Sequence, residues 1–385
     1  MYITRLKLKN WRNFRDFDAP FHECTYLIGP NASGKSNLFD VFRFLRDVCK
    51  PQGGGLQKAI ADRGGIPKLR CLHARRPPEV RIEVHLSENV DDTQPKWKYI
   101  LSFMPEGKGA QRTLIKSEEI WLRNKIIMQR PTKDDEKDKI RLTQTLLEQI
   151  QLNADFREIP EFFSETTYLH LVPQLLKYGD IIGGRLLDDD PFGQGFLERL
   201  AKTPTRVRDS RLRKIEMALT LAVPQFKQLR FVKDEVTGRP HLEALYTHHR
   251  PNAGWQREEH FSDGTLRLLG LFWSLLDGNS LLLLEEPELS LNDAIVKEIP
   301  VILQKIQKDK KRKRQLIIST HSEVLLSNLG IDARGILVLE PGSEGTKVRQ
   351  INEEEKVAIE CGLSIAEVIL PKTRPEKAEQ LGLWE

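Results

Sequence analysis

Gly29-Pro30-Asn31-Ala32-Ser33-Gly34-Lys35-Ser36 is the stretch that decides the reading of this chain. It matches the phosphate-loop pattern G-x-x-x-x-G-K-[ST] at every fixed position. Its surroundings match too. Cys24-Thr25-Tyr26-Leu27-Ile28 reads as a short buried strand, and Asn37-Leu38-Phe39-Asp40-Val41-Phe42 opens a helix. In that setting the loop's N–H groups wrap a phosphate and the helix turns its positive end to the negative charge. Lys35 is placed to reach the β- and γ-phosphates, and the Ser36 hydroxyl to ligate Mg²⁺. ATP and Mg²⁺ are therefore the expected cofactors.

A second motif lies far downstream. Leu281-Leu282-Leu283-Leu284-Glu285-Glu286-Pro287 is a buried-strand pattern that ends in two carboxylates. Such charges are costly at the end of a buried strand unless paired or metal-bound. The expected roles are Glu285 as a Mg²⁺ ligand and Glu286 as the group that polarises the attacking water. His321 follows the next strand, Gln315-Leu316-Ile317-Ile318-Ser319, where it can sense a γ-phosphate or hold that water. Phe261-Ser262-Asp263-Gly264-Thr265 precedes a helix. Ser262 or Asp263 can cap it, and Gly264 permits close backbone approach.

Around these motifs the chain alternates between β-rich and α/β stretches. Ile3–Leu8 and Glu79–Leu86 alternate as strands, and Tyr99–Met104 and Thr113–Ile120 extend an antiparallel sheet. Pro51–Gly55 and Gly64–Pro67 mark a loop-rich crossing. Leu142–Leu152 and Arg211–Leu221 read as helices, the second with Asp209-Ser210 as its start signal. From Phe261 onward strands and helices alternate: a helix at Leu266–Leu276, a strand at Ser280–Leu284 and a helix at Asn292–Gln307. A helix at Ser322–Leu329 and a strand at Gly335–Leu339 follow. That alternation argues an α/β fold with a mainly parallel sheet covered by helices. The expected organisation is an N-terminal lobe at 1–124, a mainly helical insert at 125–255, a second lobe at 256–350 and a tail at 351–385.

The chain has 385 residues with 39% hydrophobic and 30% charged content, a polar globular composition. No apolar run approaches the roughly 20 residues of a membrane span. The first residues lack a signal peptide's apolar core. Cys24, Cys49, Cys71 and Cys361 form no C-x-x-C pair, which fits a reduced cytoplasm without a zinc site. A net charge of +5 permits nucleic-acid binding without requiring it. The basic run at 308–314 reads as a solvated loop, and Leu186–Pro191 as an acidic turn rather than a metal site.

Taken together, Asn10–Phe14, Gly29–Ser36, Phe261–Thr265, Leu281–Pro287 with Glu288–Leu291, and Ser319–Ser322 resemble the ABC-type ATPase heads of the SMC and RecF group. Within that group the chain is similar to the compact AAA-15/AAA-21-type ATPases of bacterial defence systems. The resemblance implies an ABC-type head with a mixed or antiparallel β lobe, a parallel phosphate-loop sheet and a helical insert. It implies a Walker A loop at Gly29–Ser36, continued by Asn37, and Walker B positions at Glu285 and Glu286. It also implies a D-loop at Glu288–Leu291 and a switch histidine at His321. Arg12 occupies a place from which related heads touch the nucleotide; the Q-loop region would be Gly64–Arg70, but that segment holds no glutamine and the Q-loop residue is not assigned. Ser262 and Gly264 would face the nucleotide of a second copy, so ATP would join a homodimer or a higher homo-oligomer. Two departures stand out: Glu285 where an Asp is usual, and Asp263 where a second glycine is usual.

The implied function is a cytoplasmic ATPase that senses or acts on DNA or RNA. Its sharper form is an anti-phage system with a separate nuclease or toxin effector. A RecF-like repair or DNA-clamping ATPase is the alternative. About 45 residues follow Leu339, against roughly 100 for a typical domain, which leaves no room for a TOPRIM nuclease domain in this chain. A transporter ATPase fits poorly with the long middle segment and with Asn10–Phe14, and no membrane partner is expected.

Overall fold

A computed structural model describes residues 1–73, 79–107, 112–182, 190–247, 254–308 and 314–373. Most of the basic run at 308–314, most of the acidic turn at 186–191 and the tail beyond 373 lie outside the described residues. The chain divides into two units. The first is Met1–Thr166, Asn279–Leu283 and Gln307–Glu385; the second is Thr167–Gly278 and Leu284–Ile306.

The first unit starts with the strands β1 (Tyr2–Trp11), β2 (Phe14–Pro20) and β3 (Cys24–Ile28), followed by helix α1 (Lys35–Cys49). Two short helices come next, α2 (Leu56–Ala61) and α3 (Ile66–Leu69), where the glycines suggested only loop. Four antiparallel strands follow: β4 (Val80–Ser87), β5 (Trp97–Pro105), β6 (Thr113–Leu122) and β7 (Lys125–Arg130). Together with β1 and β2 they form a sheet in the order β2-β1-β4-β5-β6-β7. Alternation built it: Ile82, Val84 and Leu86 of β4 are buried while Arg81, Glu83 and His85 are only partly so.

Helix α1 lies against this sheet through aromatic contacts. Phe44 meets Trp11 edge-on at 5.2 Å between ring centroids and stacks on Phe103 at 5.7 Å, and Phe42 meets Phe21 at 5.7 Å. Each of these rings is almost fully buried, and burial of such a ring contributes about 2–3 kcal/mol. The phosphate-loop helix is thereby fixed along its length by the core.

Leu142–Leu152 does not form the expected helix. After α4 (Lys133–Lys137), residues Lys139–Thr143 make a 3-10 turn and the chain then runs through turns to α5 (Glu158–Ser164). The reason is side-chain competition for the backbone. Both oxygens of Glu118 accept the Leu146 N–H, so an amide that a helix over 142–152 would use internally is taken by a distant carboxylate.

In the second unit, β8 (Thr167–Leu169) leads to α6 (Pro173–Ile182), α7 (Phe196–Lys202) and α8 (Thr205–Ala222). The last of these starts just after Pro204, earlier than the Asp209-Ser210 signal, because Pro at the cap fixes φ where no helical N–H is needed. A three-stranded antiparallel sheet follows, in the order β11-β10-β9, from β9 (Phe226–Lys233), β10 (Pro240–Tyr246) and β11 (Gln256–Arg257). Then comes α9 (Asp263–Leu276).

Strand β12 (Leu282–Glu285) belongs to both units, Leu282 and Leu283 to the first, Leu284 and Glu285 to the second. After α10 (Asp293–Lys308), the first unit closes with β13 (Leu316–Thr320), the single-turn helix α11 (Glu323–Leu326), β14 (Ile336–Glu340), β15 (Lys347–Arg349), α12 (Glu353–Glu360) and α13 (Ile365–Thr373). The helix expected over Ser322–Leu329 is only that single turn, capped by Ser322. β3 lies between β13 and β14 and is parallel to both, with Ile28 level with Thr320 and with Val338. β15 adds an antiparallel edge to β14. On the other side of β13, the Leu282 N–H donates to the Gln315 carbonyl at 2.9 Å. Leu282, Leu283, Leu316, Ile317 and Ile318 are buried, as a sheet covered on both faces demands.

Candidate nucleotide site

In the first unit, β3 ends at Ile28 and the chain turns through the phosphate loop into α1. Ala32 and Gly34 both adopt left-handed backbone, with φ of 62° and 100°. Gly34 sits at the N-cap of α1, and a Cβ there would stand 2.1 Å from Asn13 Nδ2. A Cβ on Gly29 would lie 2.7 Å from the Leu339 carbonyl oxygen and from Ser33 Oγ. Both glycines are thus required by space, and Gly34 also by conformation.

Lys35 is 7% exposed, and its Nζ donates to the carbonyls of Gly29 at 2.8 Å and Pro30 at 3.0 Å. The side chain therefore folds back across the loop. Ser33 is fully buried and its hydroxyl has no hydrogen-bond partner among the described residues, while Asn31, Ala32 and Ser36 are exposed. A loop with a retained ammonium, two glycines that let it pack against Leu339 and Asn13, and exposed residues at its rim fits a polyphosphate with a divalent cation.

Asn13 is the residue that the motif pattern left without a role. Its Nδ2 donates to the Ser33 carbonyl at 3.0 Å and to Thr346 Oγ1 at 2.7 Å, and its Oδ1 accepts from Asn37 Nδ2 at 2.8 Å. The neighbouring Trp11 Nε1 donates to the Asn37 carbonyl at 3.0 Å. The end of β1 and the β1–β2 turn therefore hold the second half of the loop and the first turn of α1. Arg12, in left-handed backbone with φ of 52°, points its guanidinium to Asp40 Oδ2 at 2.6 Å. Arg63 takes the other oxygen of Asp40 at 2.8 Å. Arg12 thus stands beside the first turns of α1, fixed by a shared carboxylate. His321 follows Thr320 directly, level with the start of the loop through the β13–β3 register, and is exposed.

The second unit carries the other predicted residues. Ser262 caps α9 by accepting the Thr265 N–H at 3.2 Å, so Asp263 is not the cap. The Asp263 carboxylate is held instead by α6: Lys177 Nζ is 2.9 Å from one oxygen and Gln174 Nε2 is 2.9 Å from the other. A Cβ on Gly264 would lie 2.8 Å from the Ser290 carbonyl oxygen, which brings the loop before α9 against the segment after the carboxylate pair. Glu286 and Ser290 both have positive φ, 44° and 60°, a backbone cost of about 1–3 kcal/mol each that is concentrated at functional sites. Arg267 is one turn along α9, in the field of Asp263, Glu286 and Glu288, and burial lowers its pKa.

Tyr168 is the residue in this unit that sequence reasoning missed. Its hydroxyl donates a short hydrogen bond to Glu285. Hydrogen bonds from hydroxyls commonly orient carboxylates that ligate metals. Ser36 in the first unit and Glu285 in the second are the Mg²⁺ ligands that the sequence motifs lead one to expect. Among the described residues no group of three or more His, Cys, Asp or Glu side chains forms a metal cluster by itself.

A phosphate loop before α1, a parallel sheet around β3, an antiparallel lobe, and a serine-capped helix with a paired-carboxylate strand define an ABC-type ATPase head of the SMC and RecF kind. The chain belongs to the family described as "AAA domain, putative AbiEii toxin, Type IV TA system", whose model matches residues 24–327. In fold it is similar to the Smc head bound to the C-winged helix domain of ScpA, with a TM-score of 0.55 at 16% identity over 92% of this chain and 100% of that one. It is also similar to the Smc head with a coiled coil and joint from Pyrococcus yayanosii, with a TM-score of 0.50 at 12% identity over 93% of this chain and 98% of that one.

In sequence it is similar to the DNA replication and repair protein RecF of Roseiflexus castenholzii, 29% identical over 100 residues, 24% of this chain and 25% of that protein. The RecF of Chloroflexus aggregans is 31% identical over 100 residues, 24% of this chain and 26% of that protein. The matches thus span about a quarter of these curated relatives. Among the described residues no helix is long and apolar enough to cross a membrane.

Proposed function

We propose that this chain binds ATP with Mg²⁺ and hydrolyses it between two copies of itself. The observation that carries the reading is Lys35, folded onto the Gly29 and Pro30 carbonyls within a loop whose glycines admit no side chain. Lys35 and the loop N–H groups, with Asn37 after them, bind and orient the phosphates. Ser36 and Glu285 hold Mg²⁺, which neutralises phosphate charge when bound. Glu286 polarises and orients the attacking water, and His321 senses the terminal phosphate. Ser262 and Gly264 receive the phosphates of the second copy at the positive end of α9.

The cycle of closing on ATP and opening after hydrolysis then serves as a switch in a nucleic-acid-linked process. The family's description, which refers to a toxin and a type IV toxin–antitoxin system, supports an anti-phage role in the cytoplasm with a separate nuclease or toxin effector. The RecF relatives favour a second reading, a DNA-repair or DNA-clamping ATPase.

The test is the solution mass of Glu286→Gln with ATP and Mg²⁺, with and without DNA or RNA. A dimer that requires ATP is expected, and a monomer under every condition would overturn the shared site. Lys35→Ala is expected to abolish turnover, and retained turnover would refute the assigned loop. A nucleic-acid-stimulated rate separates the two readings from an ATPase with a purely protein partner.

A further inference from the structure

Asp263 places a negative charge on the very loop that, in the dimer just proposed, meets a second copy's phosphates. Left alone, that carboxylate would oppose closure: two like charges brought together in a dry interface repel strongly. The structure answers this within one chain. Ser262, not Asp263, caps α9. Both Asp263 oxygens are engaged from α6, by Lys177 and by Gln174. Lys177 is well shielded, with 13% of its side chain exposed, whereas 38% of the Asp263 side chain is exposed. The preceding segment is fixed to α9 as well, because a Cβ on Gly270 would stand 2.2 Å from Leu171 Cδ1. Arg267 adds a second positive field from within α9.

We infer that the Lys177–Asp263 pair sets the charge of the loop that receives a second copy's nucleotide. Lys177 is a positioning residue that neutralises Asp263 so that two copies can close on ATP. The inference rests on the dimer reading. It adds a control to that site: whatever draws Lys177 away from Asp263 unmasks the acid and opposes closure.

The experiment uses Glu286→Gln as the parent, with dimerisation followed by sedimentation as ATP is raised. Lys177→Ala is expected to weaken the ATP-dependent dimer about tenfold to a hundredfold, and Lys177→Arg to restore most of it. Asp263→Gly is expected to dimerise at least as well as the parent, and adding Lys177→Ala to Asp263→Gly should cost nothing further. That dependence on Asp263 separates charge control from a structural staple, which would lower thermal stability and leave affinity unchanged. The inference is overturned if Lys177→Ala dimerises like the parent, if its loss is as large without Asp263, or if only the melting temperature moves. A parent that never dimerises overturns the dimer itself, a result distinct from any of these.

Discussion

Asn13 donates a hydrogen bond to the main-chain carbonyl of Ser33, one residue before the left-handed Gly34 that starts α1. The same amide also reaches Thr346 and accepts from Asn37. One side chain thus joins the β1–β2 turn, the phosphate loop, the first helical turn and the approach to β15. Asn13→Ala removes three hydrogen bonds, each contributing about 1 kcal/mol. ATP affinity is expected to fall about tenfold or more with the fold retained. Calorimetric titration checks the affinity and circular dichroism the fold; unchanged affinity would show that the tie is incidental.

Gly34→Ala is predicted to be more severe than Asn13→Ala. Its Cβ would collide with the Asn13 amide, and the left-handed φ of 100° adds strain. Nucleotide binding should be lost while β4 to β7 of the antiparallel sheet, which lie away from the β1–β2 turn, keep their near-ultraviolet signal. The double variant Asn13→Ala with Gly34→Ala relieves the clash but not the strain, and is expected to recover only part of the binding.

Tyr168→Phe removes the hydroxyl that orients Glu285. Losing an orienting partner of a metal ligand costs about 10–100-fold in metal affinity. The Mg²⁺ concentration needed for half-maximal ATP turnover should rise accordingly, with ATP affinity in the absence of Mg²⁺ unaltered. Equal Mg²⁺ dependence in both proteins would remove Tyr168 from the metal site.

Glu118 sets a pH dependence of stability. Burial pushes its carboxyl up to about 7, against an ordinary value of 4.5, even though the Leu146 N–H, the Tyr99 hydroxyl and Arg130 oppose the shift. Between those two values the unfolded chain has released its proton while the folded chain keeps it. Stability therefore falls as pH rises from about 4.5 to 7 and is level beyond that. Glu118→Gln lacks this loss. From pH 5 to pH 8, urea unfolding should show the variant gaining on the parent by about 2–3 kcal/mol at most. A constant difference at the two pH values would exclude Glu118 as the cause.

What could be read from sequence was what the chain writes contiguously. β3, its loop and α1 follow one another without interruption, and Leu281–Leu284 declares a buried strand by composition alone. Leu142–Leu152 was misread because its apolar spacing suits a helix, and the carboxylate that captures its Leu146 amide is Glu118, 28 residues away. Tyr168 and Lys177 carried no signal either, since their partners Glu285 and Asp263 lie 117 and 86 residues away. Asn13 was visible as part of a motif, yet its bond to Thr346 spans 333 residues. The departure at Asp263 was legible as an oddity, and only α6 explains how the chain tolerates it.

The position of β3 between β13 and β14 has a consequence for biosynthesis. Leu316 of β13 is made 292 residues after its partner Cys24, and Ile336 of β14 is made 310 residues after its partner Tyr26. Gln315 then fastens the start of β1 and the entry to β3 through the Ile3 amide, the Ile3 carbonyl and the His22 carbonyl. A nascent chain that has not reached Leu316 leaves both edges of β3 open, and such non-local pairing forms slowly. The antiparallel lobe can assemble early on the ribosome, whereas the sheet around the phosphate loop must wait until β13 and β14 have been made. Chains that stall before Leu316 lack both partners of β3 and are expected to be unable to bind ATP.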